Sequence, residues 1–581
     1  MPNTPDTLIG HVVDVQGNLL MATLVEDEQG HVPTVTIGDE DILVGQLGSY
    51  VAVKQNDIHL IAVVTRMTEQ EALATPTIET PGDDAASLPF AKRIARLTPV
   101  GSILADGQFE RGVARYPTTG AQVHAVGSTD VASMFDRFQS KGLAVGTLAS
   151  HSSLNVCLDP TNLFGRHFAI LGQTGSGKSW TVASLVQKSV AVMPGAHIII
   201  LDLHGEYCWR RCDGTHSYAF DDAIVRHVDA RELEIPYWLM TYAELCDLLI
   251  EHSEREATNQ TAFFRDCLLE GRQQENTNAT PVVNLTRVTV DTPIYFSLDV
   301  ILEKVRAKNV ERVGTRQGPM FGDFDRFLMR IESKLNDVRY DSLLKPKVRN
   351  TSASLSSLLR DFVGLGTKKA AVTVIDLSSV PFDVRPTVAA QIGRLAFEFN
   401  YWNPQYREFP ILLICEEAHA YIPRATESQF AGSRKSMERI AKEGRKYGVG
   451  LAVVSQRPHE VSETVLAQCG TFVCLRITNP DDQGYVRSLV PESEGDLVGV
   501  LAGLGRGEAL VLGEAVPLYR LGYSSIGQIL FPTATTWTFT RSGRTARQTW
   551  TSMGSLSAGA RRNGSCGAPS SDEQGSAPTG F

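Results

Sequence analysis

The sequence predicts an α/β protein whose core is a parallel sheet carrying a phosphate-binding loop, with a small β-barrel before it and a helical insertion within it. Three observations predict this. From about 164 to 525, apolar runs alternate with helical spacing in the order strand, loop, helix, strand that a parallel sheet covered by helices requires. Phe168-Ala169-Ile170-Leu171 leads directly into a G-x-x-x-x-G-K-S pattern at 172–179, and that pattern leads into a helix. Residues 8 to about 66 instead carry short alternating runs separated by turn residues, as a small barrel does.

At 581 residues the chain exceeds one ordinary core, and we divide it at 1–160, 161–535 and 536–581. A composition of 43% hydrophobic and 21% charged residues fits a soluble globular protein. The net charge of -10 excludes nucleic-acid binding through global basicity, so any such affinity requires a localised basic surface. Met1-Pro2-Asn3-Thr4-Pro5-Asp6 has no positive segment followed by an apolar run, and Ile198–Leu201 and Ile411–Ile414 are too short to cross a bilayer. The expectation is a cytoplasmic chain without membrane attachment. Nine scattered cysteines, Cys415 and Cys474 among them in presumed core strands, indicate reduced thiols.

In the barrel region, Val12-Val13-Asp14-Val15 precedes the turn Gln16-Gly17-Asn18, and Val35-Thr36-Ile37, Ser49–Val53 and Leu60–Val64 follow. Further strand-like pieces run to about 150, with a linker expected at 75–87, where Thr, Pro, Gly and Asp cluster. Between about 240 and 362 the sheet pattern lapses. Helical spacing appears in Tyr242–Leu249 and Phe324–Val338, with polar Gln273–Thr280 between, which reads as an insertion in the 161–535 domain. The tail, rich in Ser, Gly, Thr, Ala and Arg from Arg541, is expected to be disordered.

The glycine-rich loop has an explicit physics. Gly172, Gln173, Thr174, Gly175, Ser176, Gly177, Lys178 and Ser179, followed by Trp180, form the predicted nucleotide-binding segment. Its glycines let successive N–H groups turn around a β-phosphate; Lys178 reaches the β- and γ-phosphates, and Ser179 ligates Mg²⁺. ATP and Mg²⁺ are therefore the expected cofactors.

Such a loop needs an acid on a neighbouring strand. Pro410–Cys415 is an apolar strand ending in Glu416-Glu417-Ala418-His419, which sets Glu416 to support the metal and Glu417 as general base for water. Gly450–Val454 ends in Ser455-Gln456-Arg457-Pro458, where Gln456 can contact the γ-phosphate or the attacking water. His197–Leu201 ends in Asp202-Leu203-His204-Gly205-Glu206-Tyr207, adding a further acid pair in which Glu206 is the second choice for the base. A strand merely ending in solvated acids is the plain alternative for each; four strands ending in polar residues at one edge favour an active site. His204, Cys208, Cys212 and His216 recur every fourth residue and could hold zinc on one helix face, but Gly205 and Asp213-Gly214 break that helix.

Together, Arg166–Leu171 leading into the loop, Asp202-Leu203-His204-Gly205-Glu206-Tyr207, Ile235-Pro236-Tyr237-Trp238-Leu239, Val374-Ile375-Asp376-Leu377-Ser378, Glu416-Glu417-Ala418-His419, Glu443-Gly444-Arg445-Lys446-Tyr447-Gly448 and Ser455-Gln456-Arg457-Pro458 resemble the HerA family of hexameric DNA translocases, relatives of FtsK. The resemblance spans about 8 to 525. It implies a RecA-like ATPase fold, a homo-hexamer around double-stranded DNA, and ATP bound between subunits. It also implies an arginine supplied by the neighbouring subunit, for which Arg445 is the match and Arg439 the reserve; a plain surface residue is the alternative for Arg445. Glu416 stands where many P-loop enzymes carry Asp, which loosens its role as a direct metal ligand.

The leading expectation is an ATP-dependent DNA translocase or helicase working with a separate nuclease or an NAD-consuming effector, in DNA-end processing or anti-phage defence. A ring that scaffolds and gates an effector is the second, with the barrel as docking surface. A conjugative or secretion motor is the third. DNA contacts are expected from pore loops, with the Lys and Arg residues between 424 and 446 as candidates.

Overall fold

The computed structural model describes residues 7–516 except for internal stretches, the longest being 26–33, 72–90, 251–256, 279–286 and 425–430. The linker expected at 75–87 and the tail from 536 lie outside the described residues.

Strand β1 (Leu8–Gln16) turns at Gly17 into β2 (Leu19–Leu24), and β3 (Tyr50–Gln55), β4 (Ile58–Glu71), β5 (Ala91–Ile103) and β6 (Gln122–Ala125) follow. Gly17 holds φ +55°, a left-handed conformation that favours glycine at a tight turn. The order β2-β1-β6-β3-β4-β5 closes on itself because β5 also pairs with β2, Leu20 opposite Leu97 and Ala22 opposite Ala95. The expected barrel is therefore present. Leu60, Ala62 and Val64 of β4 point into its core, while Ile61 and Val63 on the other face pack into the core of the following domain. A strand covered on both faces has no polar side to alternate with, which is why Leu60–Val64 is continuously apolar. The strands expected to about 150 include β5, β6 and Leu143–Thr147, and between the last two lies α1 (Ser128–Gln139), with Val131 and Met134, three residues apart, buried on one face.

The second sheet contains β7 (His167–Leu171), β8 (His197–Asp202), β9 (Val225–Asp229), β10 (Val372–Asp376), β11 (Ile411–Cys415), β12 (Val449–Ser455), β13 (Cys469–Cys474) and β14 (Leu510–Gly513). Their order is β9-β10-β8-β11-β12-β7-β13-β14, and only the β13–β14 pair is antiparallel. One expectation is corrected here. The strand bearing Glu416 and Glu417 does not neighbour the P-loop strand, since Ala452 of β12 lies between Phe168 of β7 and Ile414 of β11. An apolar run reports burial on both faces but not which strand lies alongside.

Between β9 and β10, which pair directly with Asp229 opposite Asp376, the chain passes through α2 (Tyr242–Leu249), α3 (Ala257–Asn278), α4 (Leu298–Asn309), α5 (Asp325–Leu335) and α6 (Ser354–Phe362). The polar stretch from Gln273, expected to separate helices, continues α3 to Asn278. These helices are anchored by buried cations. The Arg272 guanidinium donates to the carbonyls of Trp238 (3.3 Å) and Met240 (3.1 Å). On α7 (Arg385–Trp402), Arg394 forks onto Glu244 at 3.2 Å through both Nε and Nη2. Trp238 is fully buried and donates Nε1–H to the Arg349 carbonyl at 2.7 Å. The Ile235–Leu239 string is thus a structural anchor.

The zinc alternative loses its helix, because Cys208–Arg210 and His216–Tyr218 form an antiparallel hairpin; Cys212 lies outside the described residues. Cys157, Cys208, Cys246, Cys267, Cys415, Cys469 and Cys474 carry free thiols. Among the described residues no helix is long and apolar enough to cross a membrane.

Candidate active site

Leu171 ends β7, and α8 (Lys178–Val192) begins seven residues later, after the loop. Two glycines of the loop hold left-handed conformations, Gly175 at φ +79° and Gly177 at φ +111°. At Gly172 a Cβ would stand 2.7 Å from Ser176 Oγ and 2.8 Å from Leu475 Cβ, so the side-chain-free residue is required by packing. Gly177 caps the helix without any side-chain hydrogen bond, which leaves the helix N–H groups to an external acceptor. Ser176 Oγ is buried without a partner. Lys178 is buried and folds back over the loop, its Nζ donating to the Gln173 carbonyl at 3.3 Å. A cradle of glycines, an uncapped helix start, an orphaned hydroxyl and a lysine at its rim fit a nucleotide phosphate chain. Trp180 is half-buried behind the loop, against the core.

Four adjacent strands, β8, β11, β12 and β7, bring their carboxyl ends to this loop. Thr174 of the loop donates its hydroxyl to the Gln456 side-chain carbonyl, and Ser179 donates its hydroxyl to the Glu206 carboxylate. Gln173 accepts from Thr478 Oγ1 at 2.7 Å. The loop also touches the chain beyond β13, where Gly507 N–H donates to the Ser176 carbonyl at 3.3 Å. Sequence reasoning missed this last contact, because a Gly-Arg-Gly turn far along the chain carries no periodic signal.

Asp202 is buried, and its role differs from that of an open acid. Its Oδ1 accepts N–H bonds from His204 (3.2 Å), Gly205 (2.8 Å) and Glu206 (3.0 Å), and its Oδ2 accepts from Tyr207 (3.1 Å). That turn fixes Glu206 against Ser179 and Tyr207 against Glu416, whose carboxylate accepts the Tyr207 hydroxyl. Burial raises the Asp202 carboxyl to about 6, although the backbone N–H bonds oppose the shift. Burial likewise pushes Glu416 up to about 8, against the Tyr207 hydrogen bond and with the charges of Glu206, Asp202 and Glu417 adding to the rise.

Glu417 is a non-glycine residue at φ +47°, a left-handed conformation that costs on the order of 1–3 kcal/mol and persists where surrounding structure enforces it. Its Oε2 is buried without a hydrogen-bond partner. Burial raises its carboxyl, while the Lys178 and His204 charges and the Gln456 N–H hold it down.

Arg445 is not brought to this loop. It lies in the 3₁₀ turn Gly444–Tyr447 just before β12, and its charge acts on His167 at the start of β7. It is exposed at the amino edge of the sheet, opposite the P-loop. Arg439, on α9 (Ala431–Glu443), closes on Glu443 at 3.2 Å and lies over the Phe397 ring at 4.9 Å. Of the other cations between 424 and 446, Arg424 lies over the Tyr485 ring at 5.0 Å, and Arg434 and Lys442 approach Glu438 at 3.2 and 3.9 Å. Residues 425–430 lie outside the described residues.

Two family models match the chain, "Helicase HerA, central domain" over residues 143–396 and "Helicase HerA-like C-terminal" over 409–515. Among curated proteins, the DNA double-strand break repair helicase HerA of Pyrococcus furiosus is 30% identical over 66% of this chain and 69% of its own. The protein of the same name from Sulfolobus acidocaldarius is 26% identical over 69% of this chain and 72% of its own. Among solved structures, VirB4 of Thermoanaerobacter pseudethanolicus aligns with a TM-score of 0.43 and 16% identity over 68% of this chain and 98% of that one.

Proposed function

Since the chain belongs to the HerA helicase family and is an ATP hydrolase of the helicase type, we propose that it is a homo-hexameric motor that moves double-stranded DNA through its pore, together with a separately encoded nuclease or other effector. The observation that carries this reading is the division of chemistry between the two edges of one sheet. The carboxyl edge gathers the P-loop, Glu206, Glu416, Glu417 and Gln456, while Arg445 stands exposed at the amino edge of the same subunit. A cation that cannot serve its own site can serve a neighbour's in a head-to-tail ring.

In this reading the Gly172–Ser179 backbone and Lys178 bind the phosphates of ATP. Magnesium, held by Ser179 with Glu416 behind it, would neutralise charge on the phosphate oxygens. Glu417, mostly buried and without a hydrogen-bond partner at Oε2, takes the proton of the attacking water. Gln456, bonded to Thr174, ties that chemistry to the loop. Glu206 holds Ser179 and is the reserve base. Arg445 of the next subunit stabilises charge on the γ-phosphoryl group.

A second reading, a ring that gates an effector through its barrel, has support in the contact between domains. Arg96 of β5 pairs with Asp496 at 2.7 Å, close in the chain to the Gly507 that touches the P-loop. Steady-state hydrolysis separates the two. The motor reading expects turnover to rise with linear duplex DNA and to vanish in Lys178→Ala; no response to DNA, with effector activity surviving Lys178→Ala, would leave the gating ring.

A further inference from the structure

His419 follows the Glu416-Glu417 pair and belongs to none of the roles above. Its Nδ1 is hydrogen-bonded to Ser455 Oγ at 3.3 Å, and the same atom stands 3.3 Å from Glu417 Oε2. That oxygen nevertheless has no hydrogen bond, so one ring nitrogen stands between a hydroxyl and a carboxylate oxygen and bonds only the hydroxyl; in the tautomer that carries the proton on Nδ1, both oxygens are acceptors for it. The side chains are enclosed, with relative exposures of 16% for His419 and 13% for Glu417. Burial lowers the His419 basicity, which favours the neutral ring with a single N–H.

We propose that His419 is a positioning residue for Glu417, and that Ser455 competes with Glu417 for its Nδ1–H. The inference rests on Glu417 being the base. With the N–H given to Ser455, Glu417 Oε2 has no orienting bond. With the N–H turned to Glu417, the carboxylate is fixed for one water.

Ser455 is placed to make this choice depend on the nucleotide. Its carbonyl accepts the Gly172 N–H of the P-loop at 3.2 Å, and the next residue, Gln456, holds Thr174. A displacement of the loop therefore pulls on the residue that competes for His419. The same region is joined to the chain after the acids, since Arg424 N–H donates to the Glu460 carbonyl at 2.7 Å and Ser462 N–H to the Ile422 carbonyl at 2.9 Å.

The test uses full-length protein with MgATP and measures kcat, KM and the binding of a fluorescent nucleotide. His419→Ala is expected to lower kcat by about ten- to a hundredfold with KM and nucleotide binding unchanged, the loss that misorientation of a reacting group produces. His419→Asn, whose amide nitrogen can occupy the Nδ1 position, should recover most of that loss, and His419→Gln, which reaches the Nε2 position instead, should not. Ser455→Ala should raise the rate measured without DNA in the native background and leave it unchanged in His419→Ala. Full kcat in His419→Ala, a loss confined to KM, or equal rates for the Asn and Gln variants would overturn the proposal. Glu417→Gln keeps the two readings apart: if it hydrolyses ATP normally, the assignment of the base fails, whereas a slow Glu417→Gln beside a normal His419→Ala removes only the role of His419.

Discussion

At the carboxyl edge of the central sheet polar groups are left unfinished, whereas at the amino edge Arg439 is paired within its own subunit. On the first edge Ser176 Oγ and Glu417 Oε2 are buried without hydrogen bonds, Glu417 sits at φ +47°, and Glu416 is pushed up to about 8. On the second, Arg439 pairs with Glu443 and lies over the Phe397 ring. Exposed pairs of that kind contribute little to stability, on the order of 0–1 kcal/mol. Buried orphans and left-handed backbone cost more, and they persist where a ligand uses them. Arg445 stands exposed at that same edge. On the proposed reading, one chain carries two complementary halves of a site: an anion cradle with its acids, and a cation on the opposite edge.

The contrast can be broken most severely at Arg445. Arg445→Ala should bind ATP normally and hydrolyse it about 10³-fold more slowly or worse, the usual effect of losing an arginine that stabilises phosphoryl transfer. Normal turnover in steady-state assays would pass the role to Arg439. Next in size is Glu417→Gln, expected to lower kcat by about 10²–10⁴-fold with nucleotide binding retained, as loss of a general base does. Unchanged turnover would move the base to Glu206.

The smallest effect concerns the buried acid. Glu416 has its folded-state value raised from 4.5 to about 8. The sign follows: its protonated form is favoured by folding, so its contribution to stability is complete below about 4.5 and is lost as pH rises through about 8. Glu416→Gln removes that loss. Without magnesium its Tm advantage over the native chain should grow across this interval, reaching ~2–4 °C, measured by thermal unfolding at several pH values. A constant difference across that range would show that Glu416 is ionised throughout.

Much of this contrast was readable in the sequence, for physical reasons that differ by residue. The P-loop was readable because phosphate binding dictates glycines and a lysine at fixed spacing between a strand and a helix. The strands were readable because burial on both faces makes continuous apolar runs such as Ile411–Cys415. The edge to which Arg445 belongs also follows from the chain, since it precedes a strand whose far end carries Gln456. Strand adjacency was not readable, because nothing in Phe168–Leu171 or Ile411–Ile414 marks the intervening β12. Nor was the inward turn of Asp202, whose partners are backbone N–H groups that every residue possesses. The polar residues of α3 hid a helix for a related reason: they carry little apolar periodicity after Gln273.

The central claim is that each site is completed by a neighbouring copy. Lys178→Ala lacks the cradle but keeps Arg445, and Arg445→Ala keeps the cradle but lacks the cation. Mixed in equal amounts and allowed to exchange subunits, the two inactive proteins should regain hydrolysis at about a quarter of the sites, because a native cradle then meets a native Arg445 across a head-to-tail contact. A mixture that exchanges subunits yet stays as inactive as either variant alone would contradict the account.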